Sequence, residues 1–320
     1  MQKPINKIVA AFRDFTKFLL IIHSFPDGDT IASSLALYLV LKDLGKEVEI
    51  VCRDDIPVPF QFLSNVAKIK KDFLSGDYDV IVLLDCGDLG RTGFEERIKT
   101  FARQKKRLIN IDHHPRNNLH KIANINLFDC EKSSTGEILF EIFNLLEVKI
   151  DKDIATCLLT SLYTDTGGFM HTNVTSKTLE ISSLLMSRGA QLKKITKNIS
   201  NIKSVPSLRL WGVALSRMKH HSFGFVYSFI TKNDLVICGA NSDSISGIIN
   251  LMNSTSKAKA AILFYEMDDN KIKASLRSES ETDVSKLAAV FGGGGHKKAS
   301  GFMINGKIVE STYGWKIQTD

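Results

Sequence analysis

The chain has 320 residues and a mass of 35.6 kDa, with 43% hydrophobic and 24% charged residues. This length predicts two domains, and this composition excludes a disordered chain, a collagen-like chain and a coiled-coil rod. The 42 basic and 35 acidic residues leave a net charge of +7. Such a mild basic excess suits an anionic partner such as a nucleotide, but a lysine-rich solvated surface explains it equally well.

Cysteine usage and hydropathy predict the compartment. The five cysteines are an odd number and include no Cys-x-x-Cys pair, which argues against a disulfide framework and a zinc ribbon. The longest early apolar run, Phe18–Ile22, is too short to span a bilayer. No small-residue cleavage site follows this run. We therefore predict a soluble cytoplasmic protein that does not associate with membranes.

Short apolar runs alternate with helical patterns in the first 190 residues. The runs Phe18–Ile22 and Val80–Leu84 are almost continuously hydrophobic, which is typical of strands buried on both faces of a parallel sheet. A helical pattern over Thr30–Leu44, which Asp29 is placed to cap, precedes a further run at Val48–Val51. This order predicts an α/β domain with a doubly wound, mainly parallel sheet. Further predicted elements are the strand Leu108–Ile111 and the helices Glu95–Lys106, Gly136–Leu146 and Asp153–Tyr163.

The pattern changes in the last third of the chain, where strands predominate. Two helices are predicted within Thr175–Lys197, and another over Val205–Lys219. The later predicted elements are the strands Phe223–Ile230, Ala258–Tyr265, Lys271–Ser278 and Ala299–Ile304, the hairpin turn Asp268-Asp269-Asn270, and the helices Ser246–Met252 and Asp283–Val290. We predict a first domain over 1–190, a helical linker over 191–215 and a smaller α+β domain over 216–320, with the active site in the cleft between the domains.

Aspartate and histidine residues follow three of the buried strands and one helix of the first half. The carboxyl ends of parallel strands meet at one edge of a sheet, so these residues are expected to lie together. Each cluster alone fits a turn or a helix cap, but their coincidence favours a site in which cations separate the carboxylates. Mixed imidazole and carboxylate donors suit Mn²⁺, Fe²⁺, Co²⁺ or Zn²⁺, and paired ions commonly attack phosphate esters. The clusters contain His23, Asp27, Asp29, Asp85, Asp112, His113, His114 and Asp165.

These clusters also carry a family resemblance. The motifs are His23-x-x-Pro26-Asp27-Gly28-Asp29, Leu84-Asp85, Asp112-His113-His114 and Thr164-Asp165-Thr166-Gly167. They resemble the ordered motifs of the DHH phosphoesterase superfamily. Later in the chain, Ser275-Leu276-Arg277-Ser278, the run Gly292–Gly295 with His296, and Ala299-Ser300-Gly301-Phe302 resemble the signature of its DHH-associated substrate domain. The chain looks like the standalone nanoRNase and pAp-phosphatase type, which overlaps with cyclic-di-AMP phosphodiesterases.

The resemblance implies a role for each residue of the first domain. His23 and Asp27 would hold one metal ion, and Asp85 would bridge both ions. The second ion would be held by Asp29, His113 and Asp165. Asp112 would orient an imidazole, and His114 would face the attacking water or the scissile phosphate.

The second domain is expected to bind the substrate. Arginine suits bidentate contact with phosphate, and a glycine run lets backbone N–H groups approach an anion closely. The alternative for the glycines is a flexible turn between a helix and a strand. Phe25 is interpreted as a core or wall residue rather than a base-stacking platform. The predicted substrate-binding residues are Arg277, Gly293, Gly294, Gly295 and His296.

The donor pattern and the resemblance together imply a manganese-dependent phosphodiesterase or exoribonuclease with two divalent metal ions per chain, Mn²⁺ being preferred. Its substrates would be cyclic di-AMP, pApA or other short oligoribonucleotides, hydrolysed to mononucleotides. The alternatives are a pAp 3′-phosphatase and a non-catalytic nucleotide sensor. The dispersed charge argues against binding of long duplex nucleic acid. A homodimer is suggested by the resemblance alone.

Overall fold

A computed structural model of the protein describes residues 2–74, 76, 78–103, 107–114, 118–201, 204–255, 258–278, 281–311 and 314–318. The chain divides into two compact units, residues 1–202 and 203–320. This division falls inside the segment 191–215 that the sequence predicts as a linker. The domain bounds 1–190 and 216–320 stay predictions.

Six parallel strands form the sheet of the first unit. They are β1 (Lys17–Ile22), β2 (Glu47–Cys52), β3 (Ile69–Lys70), β4 (Val80–Leu84), β5 (Arg107–Asp112) and β6 (Ile125–Phe128). Their order across the sheet is β3-β2-β1-β4-β5-β6, and every neighbouring pair is parallel. The order reverses between β1 and β4, and ligands of open parallel sheets bind beyond the carboxyl ends of the strands at such a point.

Helices pack on both faces of this sheet. Along β1, Phe18 and Leu20 enter one hydrophobic core, while Leu19 and Ile21 enter the other. This alternation is expected of a strand buried on both sides, and it confirms the predicted doubly wound sheet. The residues 104–106 of the predicted helix 95–106 lie outside the described residues. The helices of this unit are α1 (Gln2–Asp14), α2 (Gly28–Asp43), α3 (Glu95–Arg103), α4 (Thr135–Leu145), α5 (Lys152–Asp165), α6 (Ser176–Ser187) and α7 (Leu192–Thr196).

The start of α2 differs from the prediction. The residue that caps it is Asp27, whose Oδ1 accepts a hydrogen bond from the backbone N–H of Thr30 at 3.2 Å. Asp29, predicted as the cap, lies in the first turn and is completely buried, so that prediction is wrong. Gly28 approaches α5 so closely that a Cβ at this position would lie 2.3 Å from the side chain of Thr164. This close approach brings the start of α2 against the end of α5.

The second unit is the smaller one and contains a mixed sheet, as predicted. Its strands are β7 (Lys219–His220), β8 (Phe225–Ile230), β9 (Ala260–Met267), β10 (Lys271–Arg277), β11 (Gly294–His296) and β12 (Ala299–Asn305), in the order β11-β12-β10-β9-β8-β7. A two-stranded sheet of β13 (Lys307–Ser311) and β14 (Gly314–Gln318) follows. Asp269 and Asn270, with φ of 58° and 56°, form the predicted turn between β9 and β10. The helix predicted to reach Lys219 ends at Ser216. The helices of this unit are α8 (Val205–Ser216), α9 (Lys232–Cys238), α10 (Ile248–Asn253) and α11 (Val284–Val290).

In the part of the chain that the structure describes, no single helix is long and apolar enough to cross a membrane. Among the described residues, one pair of consecutive helical segments, Lys232–Cys238 and Ser242–Asn253, bent by 98°, reaches that length and apolarity when taken together. Cys238, Ile248 and Met252 of this pair are buried in the core of the second unit.

Candidate metal centre

Three groups of histidine and aspartate side chains lie where strands of the first unit end. Within each group the potential ligand atoms are all within 4.8 Å of one another. Asp85 and His113 each belong to two of the groups. The structure thus brings together the six residues that the sequence predicts as metal ligands, and His114 joins them. The groups are His23, Asp27 and Asp85; Asp29, His113 and Asp165; and Asp85, His113 and His114.

The topology of the sheet explains why these residues meet. His23 follows β1, Asp85 follows β4 and His113 follows β5, and these three strands are neighbours in the sheet. Asp29 lies in the first turn of α2, and Asp165 is the last residue of α5, whose end packs against the start of α2. The groups therefore gather at the reversal of strand order, where this kind of sheet places its ligands.

Asp85 has an unusual backbone conformation. Its φ of 56° is left-handed, which is uncommon for a residue other than glycine and typical of functional sites. Thr135 donates a hydrogen bond from Oγ1 to Oδ1 of Asp85 at 3.2 Å. Burial raises the pKa of Asp85 well above its ordinary value, and the charges of Asp29, Asp27 and Asp165 raise it further. A bound cation would remove this repulsion.

His113 lies among three carboxylates. Its Nε2 is 2.9 Å from Asp165 Oδ2, 3.5 Å from Asp85 Oδ1 and 3.7 Å from Asp29 Oδ2. Its Nδ1 lies 3.3 Å from the carbonyl oxygen of Lys132, which directs Nε2 towards the carboxylates. Nε2 is buried and makes no hydrogen bond of acceptable geometry. A buried imidazole nitrogen of this kind, facing several carboxylates, fits a transition-metal ligand.

The protonation of His113 is coupled to these neighbours. Burial lowers the pKa of His113, but Asp165, Asp29 and Asp85 outweigh burial and raise it to about 9. Burial raises the pKa of Asp165 to about 6, with the charge of Asp29 adding to the effect and His113 opposing it. A metal ion therefore competes with protons for His113 and Asp165.

Asp29 is held by hydrogen bonds from three elements. Its Oδ1 accepts from Ser33 at 2.8 Å and from Ser161 at 2.5 Å. Its Oδ2 accepts from the backbone N–H of Thr135 at 2.7 Å. Sequence reasoning singled out none of these donors. The segment Ser133-Ser134-Thr135 at the start of α4 carried a signal, because hydroxyl side chains are common at helix starts, whereas Ser161 depends on how α5 packs against α2.

Asp112 orients His114. Its Oδ1 accepts a hydrogen bond from the backbone N–H of His114 and lies 2.9 Å from the ring Nδ1. Its Oδ2 accepts from the backbone N–H of Gly87 at 2.8 Å. Burial raises the pKa of Asp112, but the hydrogen bond and charge of His114 lower it overall. His114 Nδ1 also lies 3.2 Å from Asp85 Oδ1, so the geometry allows His114 as a metal ligand as well as a substrate contact.

Arg91 is a residue of this centre that sequence reasoning missed. Its Nη2 lies 3.2 Å from Nε2 and 3.3 Å from Nδ1 of the buried His23. His23 Nδ1 is 2.8 Å from the carbonyl oxygen of Ser24, and its Nε2 is 3.6 Å from Asp27 Oδ2. The sequence feature that could have indicated Arg91 is its position in the same loop as Asp85. A guanidinium at this position is suited to contact with phosphate oxygens.

In the second unit, two predicted substrate residues lie in one row across the sheet. Arg277 on β10 pairs with Ala299 on β12, and His296 on β11 pairs with the same Ala299 from the other side. Directly paired residues of neighbouring strands have side chains on the same face. The side chain between Arg277 and His296 in this row is the methyl group of Ala299.

The fold requires glycine at three positions of the run Gly292–Gly295, through a close contact or a positive φ, but not at the fourth. A Cβ on Gly293 would lie 2.2 Å from the carbonyl oxygen of Gly301, and Gly295 has a φ of 136°. Gly292 has a φ of 71°. Gly294 has no heavy atom within 4 Å of a Cβ position and no positive φ, so the fold does not require glycine there. Part of the run forms β11 and is not merely a turn.

Comparison with known proteins identifies the class of this chain. The N-terminal domain of the DHH family matches residues 17–162, and the DHHA1 domain matches residues 225–311. The bifunctional oligoribonuclease and PAP phosphatase NrnA of Thermus thermophilus is 29% identical over 299 residues, covering 91% of this chain and 85% of that protein. The protein of the same name from Mycoplasma genitalium is 25% identical over 305 residues, covering 95% and 93%. The crystal structure of an exopolyphosphatase-related protein from Bacteroides fragilis is 30% identical with a TM-score of 0.88, covering 94% of this chain and 91% of that one.

The fold, the histidine and aspartate groups and the names of these relatives support a hydrolase of the phosphoesterase type. The chain belongs to the DHH family and carries a DHHA1 domain after its DHH domain. The resemblance read from the sequence motifs is thereby confirmed.

Proposed function

We propose that this protein is a metal-dependent phosphodiesterase that hydrolyses short nucleotide substrates to mononucleotides. The substrates proposed are cyclic di-AMP, pApA and other short oligoribonucleotides. The observation behind this proposal is that Asp85 and His113 each belong to two of the donor groups. Shared ligands of this kind suit two metal ions held close together. The names of the Thermus and Mycoplasma relatives support oligoribonucleotides as substrates.

The proposed cofactor is a pair of divalent ions, preferably Mn²⁺. In this proposal His23 and Asp27 hold one ion, and Asp85 lies between the two. Bound ions of this kind supply Lewis-acid polarisation of the phosphate and an activated water. The mixture of imidazole and carboxylate donors favours Mn²⁺ over Mg²⁺ or Ca²⁺. The second ion is assigned to Asp29, His113 and Asp165.

Three side chains of the first unit are proposed either to contact the substrate or to position a side chain that does. Asp112 fixes the ring of His114 through Nδ1, so that the imidazole is oriented before a substrate arrives. His114 is proposed to contact the scissile phosphate. Arg91, an exposed residue whose Nη2 lies 3.2 Å from His23 Nε2, is proposed to donate hydrogen bonds to phosphate oxygens as their charge grows.

The second unit is proposed to recognise the nucleotide through a phosphate away from the metal centre. Arg277 and His296 occupy the two ends of the row through Ala299 and would bind that phosphate from both sides. Gly294 would present its backbone N–H to the anion, since no packing contact explains the absence of a side chain there. Gly293 and Gly295 would shape the run around it.

A second candidate activity is removal of the 3′-phosphate of pAp. The names of the Thermus and Mycoplasma relatives, which include PAP phosphatase, favour it. Both reactions break a phosphorus–oxygen ester bond, so one set of residues suffices for both. A non-catalytic sensor is the weaker alternative, because such a protein has no need for the complete set of donor residues.

A substrate panel tests the proposal. The protein is stripped of metal, supplied with Mn²⁺ and incubated with cyclic di-AMP, cyclic di-GMP, pApA, longer RNA, pAp and pyrophosphate. We expect AMP from pApA, no activity without metal, and no activity from Asp85→Ala purified in parallel. If pAp were the only compound hydrolysed, with release of phosphate, the protein would be a pAp phosphatase and not a phosphodiesterase. Hydrolysis of pyrophosphate alone, or of nothing in the panel, would refute the proposal.

A further inference from the structure

Phe25 lies between His23 and Asp27 in the loop that follows β1. Its side chain is 88% exposed, so of the two interpretations, core residue or wall residue, the first is wrong. Its φ of 53° is left-handed, a conformation that suits glycine, asparagine and aspartate and is an outlier for a bulky residue. An exposed aromatic ring therefore stands on a strained backbone beside two of the proposed metal ligands.

Folding of the first unit does not account for a phenylalanine at this position. A ring that stays exposed removes little apolar area from water, so it adds little hydrophobic stabilisation. A left-handed backbone carries a cost for any side chain with a Cβ. Asparagine or glycine would satisfy the backbone better. The identity of residue 25 therefore points to a contact made outside the folded chain.

Hydrogen bonds hold the loop in its strained conformation. The backbone N–H of Phe25 donates to Asp54 Oδ2 at 2.7 Å, which ties the loop to the segment after β2. The backbone N–H of Ser24 donates to the carbonyl oxygen of Arg91 at 2.5 Å, which ties it to the segment after β4. These two hydrogen bonds hold the backbone of Phe25 in place next to the candidate metal centre. Backbone strain maintained in this way is typical of ligand-binding positions.

We propose that Phe25 is a stacking platform for the nucleobase of the nucleotide whose phosphate lies at the metal centre. This inference rests on the proposed function and adds a residue that determines substrate specificity. A phenyl face stacks on any nucleobase, so it favours nucleotides over sugar phosphates and inorganic phosphates without choosing strictly between bases. An anchored aromatic side chain also loses little conformational freedom when the base arrives.

The test compares a ligand that has a base with one that lacks it. Binding of 5′-AMP and of ribose 5-phosphate is measured by titration calorimetry in the presence of Mn²⁺. The wild type should bind AMP more tightly, and Phe25→Asn should reduce the AMP preference by roughly 5- to 150-fold, the range for loss of one aromatic stack. Phe25→Trp should keep the preference. Leu74→Ala is the matched control, because Leu74 is also an exposed apolar residue of the first unit, with 87% exposure, but lines a cavity with Lys17 and Glu47. This variant should leave the AMP preference unchanged.

Thermal unfolding separates a ligand contact from a structural role. Asparagine tolerates the left-handed backbone, so Phe25→Asn should not lower the melting temperature. A lower melting temperature, an unchanged AMP preference in Phe25→Asn, or no preference in the wild type would each overturn the inference. These outcomes are distinct from failure of the proposed function, which would appear as wild-type protein that hydrolyses no nucleotide of the panel.

Discussion

Oδ1 of Asp85 lies 3.5 Å from Nε2 of His113, and these two side chains are the ones that the donor groups share. They come from the ends of β4 and β5, which are adjacent parallel strands. Asp85 joins His23 and Asp27 to His113, and His113 joins Asp85 to the carboxylates on the helices. A change at either residue should therefore disturb the whole centre and not one ligand alone.

The first prediction concerns the pH dependence of metal binding. In the metal-free protein the pKa of His113 is about 9 and that of Asp165 about 6, so at pH 6 His113 carries a proton and Asp165 is about half protonated. A metal ion must displace these protons to bind. The affinity for Mn²⁺ should rise between pH 6 and 9, approaching tenfold per pH unit for each proton released. Calorimetry in two buffers of different ionisation enthalpy measures this release, and a pH-independent affinity without proton release would contradict the assignment.

The second prediction separates chemistry from metal binding. His114→Ala should lower kcat and kcat/KM together while metal content stays close to that of the wild type, because a contact made in the transition state is lost. Asp112→Asn should have a smaller effect in the same direction, because the ring of His114 loses its orienting carboxylate. Elemental analysis accompanies the kinetics, with His221→Ala, an exposed histidine of the second unit, as control. If His114→Ala lost its ions, His114 would be a ligand, which its distance to Asp85 also permits.

The third prediction uses two glycines of the same run. Gly294→Ala should leave the melting temperature unchanged, because a Cβ meets nothing within 4 Å, but it should lower kcat/KM for pApA. Gly293→Ala should destabilise the protein by about 1–3 kcal/mol, because its Cβ would overlap the carbonyl oxygen of Gly301. Unfolding curves and kinetics of both variants check this. Full activity of Gly294→Ala towards pApA would remove the glycine run from the substrate site.

The sequence carried more information about strands buried on both faces than about short or exposed elements. Val80–Leu84 was predicted with the bounds it has in the structure, because a strand buried on both faces is apolar at every position. The amphipathic helix α1 and the short strand β6 were not predicted, and neither was the β13–β14 hairpin. Short or exposed elements of this kind depend on neighbours that local sequence does not reveal.

The candidate site shows the same contrast at the level of side chains. His113 and Asp85 were predictable because they directly follow buried strands. Arg91, Thr135 and Ser161 act through contacts with residues 68, 50 and 132 positions away in the chain, and such contacts leave no local pattern. The exposure of Phe25 was equally hidden, because a phenylalanine that closely follows a buried strand usually indicates a core position.

The fourth prediction tests the division of labour between the two units. Arg277→Ala and His296→Ala should each lower kcat/KM for pApA by roughly ten- to a hundredfold, the range for a charge-assisted hydrogen bond. Hydrolysis of bis-p-nitrophenyl phosphate should survive, because this small ester needs only the metal centre. Equal losses on both substrates would show that these residues support the fold or the metal centre, and the proposed phosphate site would be withdrawn.

The fifth prediction addresses the central claim, that Asp85 joins two metal ions. Wild-type protein and Asp85→Ala are stripped of metal, supplied with Mn²⁺ and freed of excess ions, and then metal content and turnover of pApA are measured on the same samples. We predict two Mn²⁺ ions per chain in the wild type, fewer in Asp85→Ala, and the largest loss of turnover among the single ligand substitutions. Wild-type turnover in Asp85→Ala after this treatment would contradict the account.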